Sequence, residues 1–150
     1  MEKNNILNQM KLVVPSISIN EGAVRAVVAA FCAQADPTAV EIADIKCAVS
    51  EAITNCIVHG YKDRVGNITV GVKIYSDRTI TISIKDKGCG IENVKKAREP
   101  LFTTDPEGER SGMGFTVMES FTDKLTVRSS IGKGTSITMC KRLSDIHKKQ

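Results

Sequence analysis

Hydrophobic residues recur along this chain with two different periods, and the switches between them divide it into elements. Residues 10–19, Met-Lys-Leu-Val-Val-Pro-Ser-Ile-Ser-Ile, mix β-branched residues with one proline and predict a first strand. Pro15 has no N–H for a ladder, which places that strand at a sheet edge. With Asn20 as N-cap, a helix is predicted over about 21–35, because Val24, Val27, Val28 and Phe31 keep the i, i+3, i+4, i+7 spacing of one helical face. Asp36-Pro37-Thr38 ends it and starts a second helix over about 39–60, closed by Gly60. Ile42, Ile45, Val49, Ile53 and Cys56 share one face of this helix, while Asp44, Glu51 and Asn55 share another.

The period then falls to two. Residues 67–75 and 79–85 alternate as strands, and the short Ser76-Asp77-Arg78 link makes them an antiparallel hairpin that delivers Asp86 at its end. Residues 91–98 are expected to form a short helix. Residues 99–111 carry two prolines, a glycine and many charges without periodicity, and are expected to be a mobile loop. A helix over 112–121 and a second hairpin, 123–129 with 135–141 around Ile131-Gly-Lys-Gly134, complete the chain. No internal repeat, linker or low-complexity tract interrupts this order.

Composition narrows the field without choosing a function. A chain of 150 residues suits one domain with one core, and 41% hydrophobic with 25% charged residues is ordinary for a globular protein. The formal charge of +4 is modest and scattered apart from the tail, and with no Trp and two Tyr the chain is a poor reader of single-stranded nucleic acid. No nucleic-acid partner is expected. Five cysteines (32, 47, 56, 89, 140) form no C-x-x-C pair, which fits a reducing compartment. Neither a signal-peptide pattern nor a bilayer-length apolar run is visible, so the expected location is the cytoplasm, away from membranes.

The polar positions carry the candidate chemistry. Glu51 and Asn55 stand four residues apart, one helical turn, and so share a face. A carboxylate there can take a proton from a hydroxyl or water, and a carboxamide oxygen can bind a hard cation such as Mg²⁺. Asp86, followed by Gly88 and Gly90, can accept a hydrogen bond from an amino group such as the exocyclic amine of adenine, with glycines permitting close backbone approach. Taken alone, this D-x-G-x-G reads more readily as a plain turn after a strand. Gly108-Glu-Arg110-Ser111-Gly112-Met113-Gly114 can offer backbone N–H groups to phosphates ahead of a helix, with Arg110 as a γ-phosphate contact. Thr135, after Gly134, can reach the same base through its hydroxyl.

These four boxes, in this order over residues 10–142, resemble the ATP-binding fold shared by gyrase-type, Hsp90, histidine-kinase and MutL proteins. The resemblance implies an α+β, two-layer sandwich: a mixed, mostly antiparallel sheet covered on one face by helices, forming a single domain over 1–150. Within that superfamily the chain is similar to the small anti-sigma factor serine kinases. The likeness rests on Asn20-Glu-Gly-Ala-Val-Arg25, Asp36-Pro-Thr38, Val49-Ser-Glu-Ala-Ile-Thr-Asn55, His59-Gly-Tyr61, Pro100-Leu-Phe-Thr-Thr104-Asp and Glu109-Arg-Ser-Gly-Met-Gly-Phe115. It implies a homodimer that binds ATP or ADP with Mg²⁺, restrains a sporulation sigma factor when ATP is bound, and phosphorylates an anti-anti-sigma partner on serine. By the same likeness Glu51 is the catalytic base, Asn55 the metal ligand, Asp86 the adenine acceptor, Arg110 a catalytic lid arginine and Arg25 a partner-binding residue. Nucleotide contacts are further implied at Gly88, Gly90, Thr104, Ser111, Gly112, Met113, Gly114, Phe115 and Thr135. Two neighbouring readings stay open: a general-stress anti-sigma kinase of the same family, and a sigma-binding module switched by ATP without phosphotransfer.

Overall fold

The computed structural model describes residues 4–99 and 114–145. Strands β1 (Ile6–Pro15), β2 (Asn67–Tyr75), β3 (Thr79–Asp86), β4 (Lys124–Ser130) and β5 (Gly134–Arg142) form one sheet in the order β1-β2-β3-β5-β4. Helices α1 (Ile19–Cys32), α2 (Ala39–Asn55), the single turn α3 (Val94–Ala97) and α4 (Gly114–Phe121), with a 3-10 turn at Ala33–Ala35 and a π turn at Cys56–Gly60, complete the described elements. All four strand pairings are antiparallel, and the expected two-layer α+β sandwich is found.

Alternation decides which face of the sheet is covered. Ile68, Val70, Val72 and Ile74 of β2, Ile80, Ile82 and Ile84 of β3, and Ile137 and Met139 of β5 are buried beneath the helices. Their neighbours Thr69, Lys73, Thr81, Ser83, Lys85 and Thr138 lie on the opposite, polar face. From above, α1 contributes Val24, Val28 and Cys32, and α2 contributes Ile45, Ala48, Val49, Ala52 and Ile53. Each fully buried Val or Ile contributes about 1.5–3 kcal/mol, so this layer contact dominates the stability of the fold.

Helix α2 starts as its sequence dictates. Asp36 takes the left-handed conformation (φ 54°), and Thr38 closes a capping box in which its Oγ1 accepts the Glu41 N–H at 3.1 Å while Glu41 Oε1 accepts the Thr38 N–H at 2.8 Å. Several boundaries differ from expectation, among them the end of the first strand at Pro15 and the short helix, which spans only Val94–Ala97. Strand β1 begins at Ile6 rather than residue 10, because its ladder to β2 continues to Tyr75 and Asn4 and Asn5 bond Ser76 and Asp77 at the hairpin tip. Helix α1 begins after Ser18, so Asn20 is not its N-cap; the Asn20 carboxamide instead donates to the Pro15 carbonyl at 2.9 Å, fastening the strand end to the helix start. The second helix is α-helical only to Asn55. Residues Cys56–Gly60 widen into a π turn, and the Tyr61 N–H donates to the Cys56 carbonyl five residues back at 2.8 Å.

Candidate functional site

Three polar side chains sit in one row across three strands. Thr135 of β5 pairs with Asp86 of β3 on one side and with Ser129 of β4 on the other. The next two rows on the same face are apolar: Ile84–Ile137–Val127 and Ile82–Met139–Leu125. The polar row is therefore the end of the core, where the sheet meets the turn after Asn55. Asp86 and Thr135 are 6% and 5% exposed. A buried carboxylate is costly without donors, and Asp86 has them: the Gly88 N–H reaches its Oδ1 at 2.9 Å, and the Cys56 thiol donates to the same carboxylate. Burial first, then the negative charge of Asp86, pushes that thiol well above its ordinary range.

The loop after Asp86 is held from the π turn and from the β4–β5 hairpin. The Cys89 N–H donates to the Gly60 carbonyl at 2.9 Å, and the Gly132 N–H donates to the Cys89 carbonyl at 2.8 Å. Gly88 lies so close to the π turn that a Cβ would stand 2.1 Å from the Gly60 oxygen. Gly90 has φ +77°, and its Cβ would stand 2.1 Å from the Ser130 oxygen. Both glycines thus seat the loop on the protein's own backbone. Tyr61 completes the clamp: its hydroxyl accepts the Lys87 N–H at 2.6 Å and donates to the Asn67 carbonyl at 2.7 Å. Arg64 lies 5.4 Å from the centre of its ring and donates to the Lys87 carbonyl at 2.9 Å.

Glu51 and Asn55 occupy the last turn and a half of α2, half-buried and on one face. Gly114, the first residue of α4, stands over Glu51, with its Cβ position 3.5 Å from Glu51 Oε2. A groove of about 430 Å³ runs between α1, α2 and α4 and is lined by Arg25, Lys46, Cys47, Ser50, Glu51 and Phe121 among others. It brings Arg25 and Glu51 to one surface. Glu21 bridges Arg25 (3.2 Å) and the Ser50 hydroxyl, which fixes the guanidinium against α2. Phe115 packs its ring into the core.

The sequence-predicted residues thus fall into two groups. Asp86, Gly88, Gly90 and Thr135 gather at the sheet margin, Glu51, Asn55, Gly114 and Arg25 line the helical side, and the π turn joins the groups. Thr104, Arg110, Ser111, Gly112 and Met113, with most of the loop expected over 99–111, lie outside the described residues. Sequence reasoning missed Ser129, Tyr61 and Cys56 as parts of the site. Tyr61 follows His59-Gly60 directly, so its place after the helix end was a usable signal; Ser129 had none beyond strand parity. Among the described residues, no three His, Cys, Asp or Glu side chains are placed to hold a metal, and no helix is long and apolar enough to cross a membrane.

Comparison with known proteins adds a family. The histidine kinase-like ATPase domain matches residues 17–141. The chain is 58% identical over 134 residues to the anti-sigma F factor of Thermoanaerobacter sp. (strain X514), covering 89% of this chain and 93% of that one. It is 57% identical over 141 residues to the anti-sigma F factor of Caldanaerobacter subterraneus subsp. tengcongensis (94% and 96%), and 51% identical over 137 residues to that of Clostridium acetobutylicum (91% and 95%). Among solved structures, the RsbU and RsbW domains of a Mycobacterium tuberculosis protein share the fold with TM-score 0.69 at 22% identity, over 92% of this chain and 33% of that chain. The histidine kinase domain of a blue-light activated kinase from Erythrobacter litoralis does so with TM-score 0.54 at 19% identity, over 82% and 61%.

Proposed function

Because the chain belongs to the histidine kinase-like ATPase family and, within it, to the anti-sigma F factors, we propose that it is an ATP-dependent protein-serine kinase with two partners. In its ATP-bound form it holds sigma F inactive, and it transfers the γ-phosphoryl group to a serine of an anti-anti-sigma protein. The observation that carries this reading is a single stiff path. Helix α2 bears Glu51 and Asn55 on one face, and its π turn rests on the loop after Asp86. A nucleotide whose base meets Asp86 and Thr135 would extend its phosphates toward Asn55 and Glu51.

Each residue then has a chemical task. Asp86 accepts from the adenine amine, while Gly88 and Gly90 hold the loop that frames it. Glu51 takes the serine proton as the hydroxyl oxygen attacks the γ-phosphorus and the bond to the ADP oxygen breaks. Asn55 would hold Mg²⁺. The donor set fits that ion, because magnesium keeps several waters and takes few protein ligands, and one carboxamide with phosphate oxygens suffices. When bound, the ion neutralises developing charge on the phosphates. By the family likeness Thr104, Arg110, Ser111, Gly112 and Met113 are assigned to nucleotide contacts, together with Gly114 and Phe115. Arg25, held by Glu21 at the groove that reaches Glu51, is assigned to partner binding. The same reading makes the protein a homodimer, supported by the long edge strand β1, on which Leu7 and Val13 are 67% and 50% exposed.

The test is Glu51→Gln, assayed with γ-labelled ATP, Mg²⁺ and an anti-anti-sigma protein. Loss of a general base lowers transfer by about 10²–10⁴-fold, while ATP and sigma binding persist. Wild-type transfer rates in the variant would remove Glu51 from the mechanism, and ATP and sigma binding without any transfer by the unaltered chain would leave an ATP-switched sigma-binding module in place of a kinase.

A further inference from the structure

Resting on the reading that Asp86 and Thr135 face the base, we propose that Ser129 is a positioning residue that makes the site selective for a 6-amino purine by fixing the direction of the Thr135 hydroxyl proton. Ser129 Oγ has three partners. It accepts the Ile91 N–H at 2.7 Å, it lies 2.9 Å from the Gly134 carbonyl oxygen, and it lies 2.9 Å from Thr135 Oγ1. A serine hydroxyl has one proton and two lone pairs. The Gly134 carbonyl can only accept, so the Ser129 proton goes there. The Ile91 amide can only donate, so it takes one Ser129 lone pair. One lone pair is left, and the contact with Thr135 is made only if Thr135 donates to it. All three bonds coexist in this single arrangement.

Its consequence lies one residue over. Thr135 turns its proton toward β4 and has lone pairs alone to offer elsewhere. On its other side is Asp86, its register partner, which as a carboxylate is also an acceptor. The margin of the sheet therefore presents two acceptors side by side and no hydroxyl donor. A 6-amino group brings two N–H hydrogens to such a surface. A 6-oxo group brings an acceptor and meets both oxygens unfavourably. A threonine hydroxyl free to rotate would blunt this discrimination, since it could donate to either base. Neither Ile91, Gly134 nor Ser129 has to touch the nucleotide for the effect to operate.

The experiment compares ATP with inosine triphosphate, which carries a 6-oxo group, by competitive binding to the full chain. We expect the Ser129→Ala variant to narrow the wild-type preference for ATP by about fivefold to tenfold, the worth of one hydrogen bond. Ser129→Thr, which keeps the hydroxyl, retains the wild-type ratio. An alanine variant that weakens both nucleotides equally, or widens the ratio, overturns the proposal and leaves Ser129 a merely structural residue. If Ser129→Ala does not fold, Thr135→Val decides: it removes the acceptor without changing shape, and the ratio narrows if the proposal holds and is unchanged if it does not. Absence of ATP binding by the wild type would instead remove the nucleotide reading itself.

Discussion

Tyr61 is where the proposed site and the stability of the fold can be separated by one oxygen atom. Tyr61→Phe keeps the ring, which fills the space against Gly66 and under Arg64, and deletes the hydroxyl that joins the Lys87 amide to the Asn67 carbonyl at 2.6 and 2.7 Å. A net hydrogen bond is worth about 0.5–1.5 kcal/mol, and a fully buried orphan costs up to about 3. Lys87 and Asn67 are exposed residues, so water can partly replace the hydroxyl, and the expected loss is about 1–2 kcal/mol by urea denaturation. Lys87 adjoins Asp86 in the chain, so loosening it also blurs the proposed base acceptor. We expect nucleotide affinity to fall about threefold to tenfold, the equivalent of about 1 kcal/mol, in a fluorescent-nucleotide titration. Leu12→Ala is the control. It trims a partly buried residue of β1, two strands from β3, and costs about 2 kcal/mol with no change in affinity. Equal affinity losses in both variants would show that Tyr61 acts through global stability. No loss of either kind in Tyr61→Phe would show that the hydroxyl bridges nothing of consequence.

Two further outcomes follow from the same structure. Gly90 and Gly132 both have φ +77°, but only Gly90 lies against backbone, so Gly132→Ala should cost about 1 kcal/mol in a urea melt and Gly90→Ala clearly more, with loss of nucleotide binding; equal costs would remove the close approach from the account. Native-state thiol labelling at pH 8 should modify exposed Cys47 and Cys89 quickly and spare buried Cys32 and Cys56. Burial pushes Cys32 up to about 12, and a raised pKa keeps a thiol protonated until the pH approaches that value, so its thiolate fraction at pH 8 is about 10⁻⁴. Rapid labelling of Cys32 or Cys56 before unfolding would contradict this order.

What the sequence revealed depended on whether the determining interaction was local. The alternation through Thr79–Lys85 put Asp86 on the covered face, because parity along a strand is a property of the strand alone. Thr38 and Glu41 close their capping box within four residues, so the start of α2 was equally plain. The π turn was not, since Cys56–Gly60 continues the helical apolar pattern and is widened by bonds from Tyr61 and Cys89. Parity placed Ser129 on a face but could not supply its neighbours. Those come from the register of β4 on β5 and of β5 on β3, which sequence period leaves undetermined. Asn20 was misplaced for a similar reason: its side chain serves the end of β1, and the helix had already begun.

On the proposed reading, the same distinction divides affinity from transfer. The proposed base side is built from long-range contacts: Asp86 with Thr135, Thr135 with Ser129, and Cys89 with Gly60. The proposed transfer side is local, with Glu51 and Asn55 one turn apart on a single helix. Changes at Tyr61, Gly90 or Ser129 should therefore act on which nucleotide binds and how tightly. A change at Glu51 should act on what happens to the γ-phosphate once it is bound. Because the π turn bonds α2 to the loop after Asp86, a nucleotide seated at the margin meets a helix whose position is already set. On the proposed reading, the bonded path from the acceptor row to α2 would let one bound molecule both signal its presence to a partner and give up its terminal phosphoryl group.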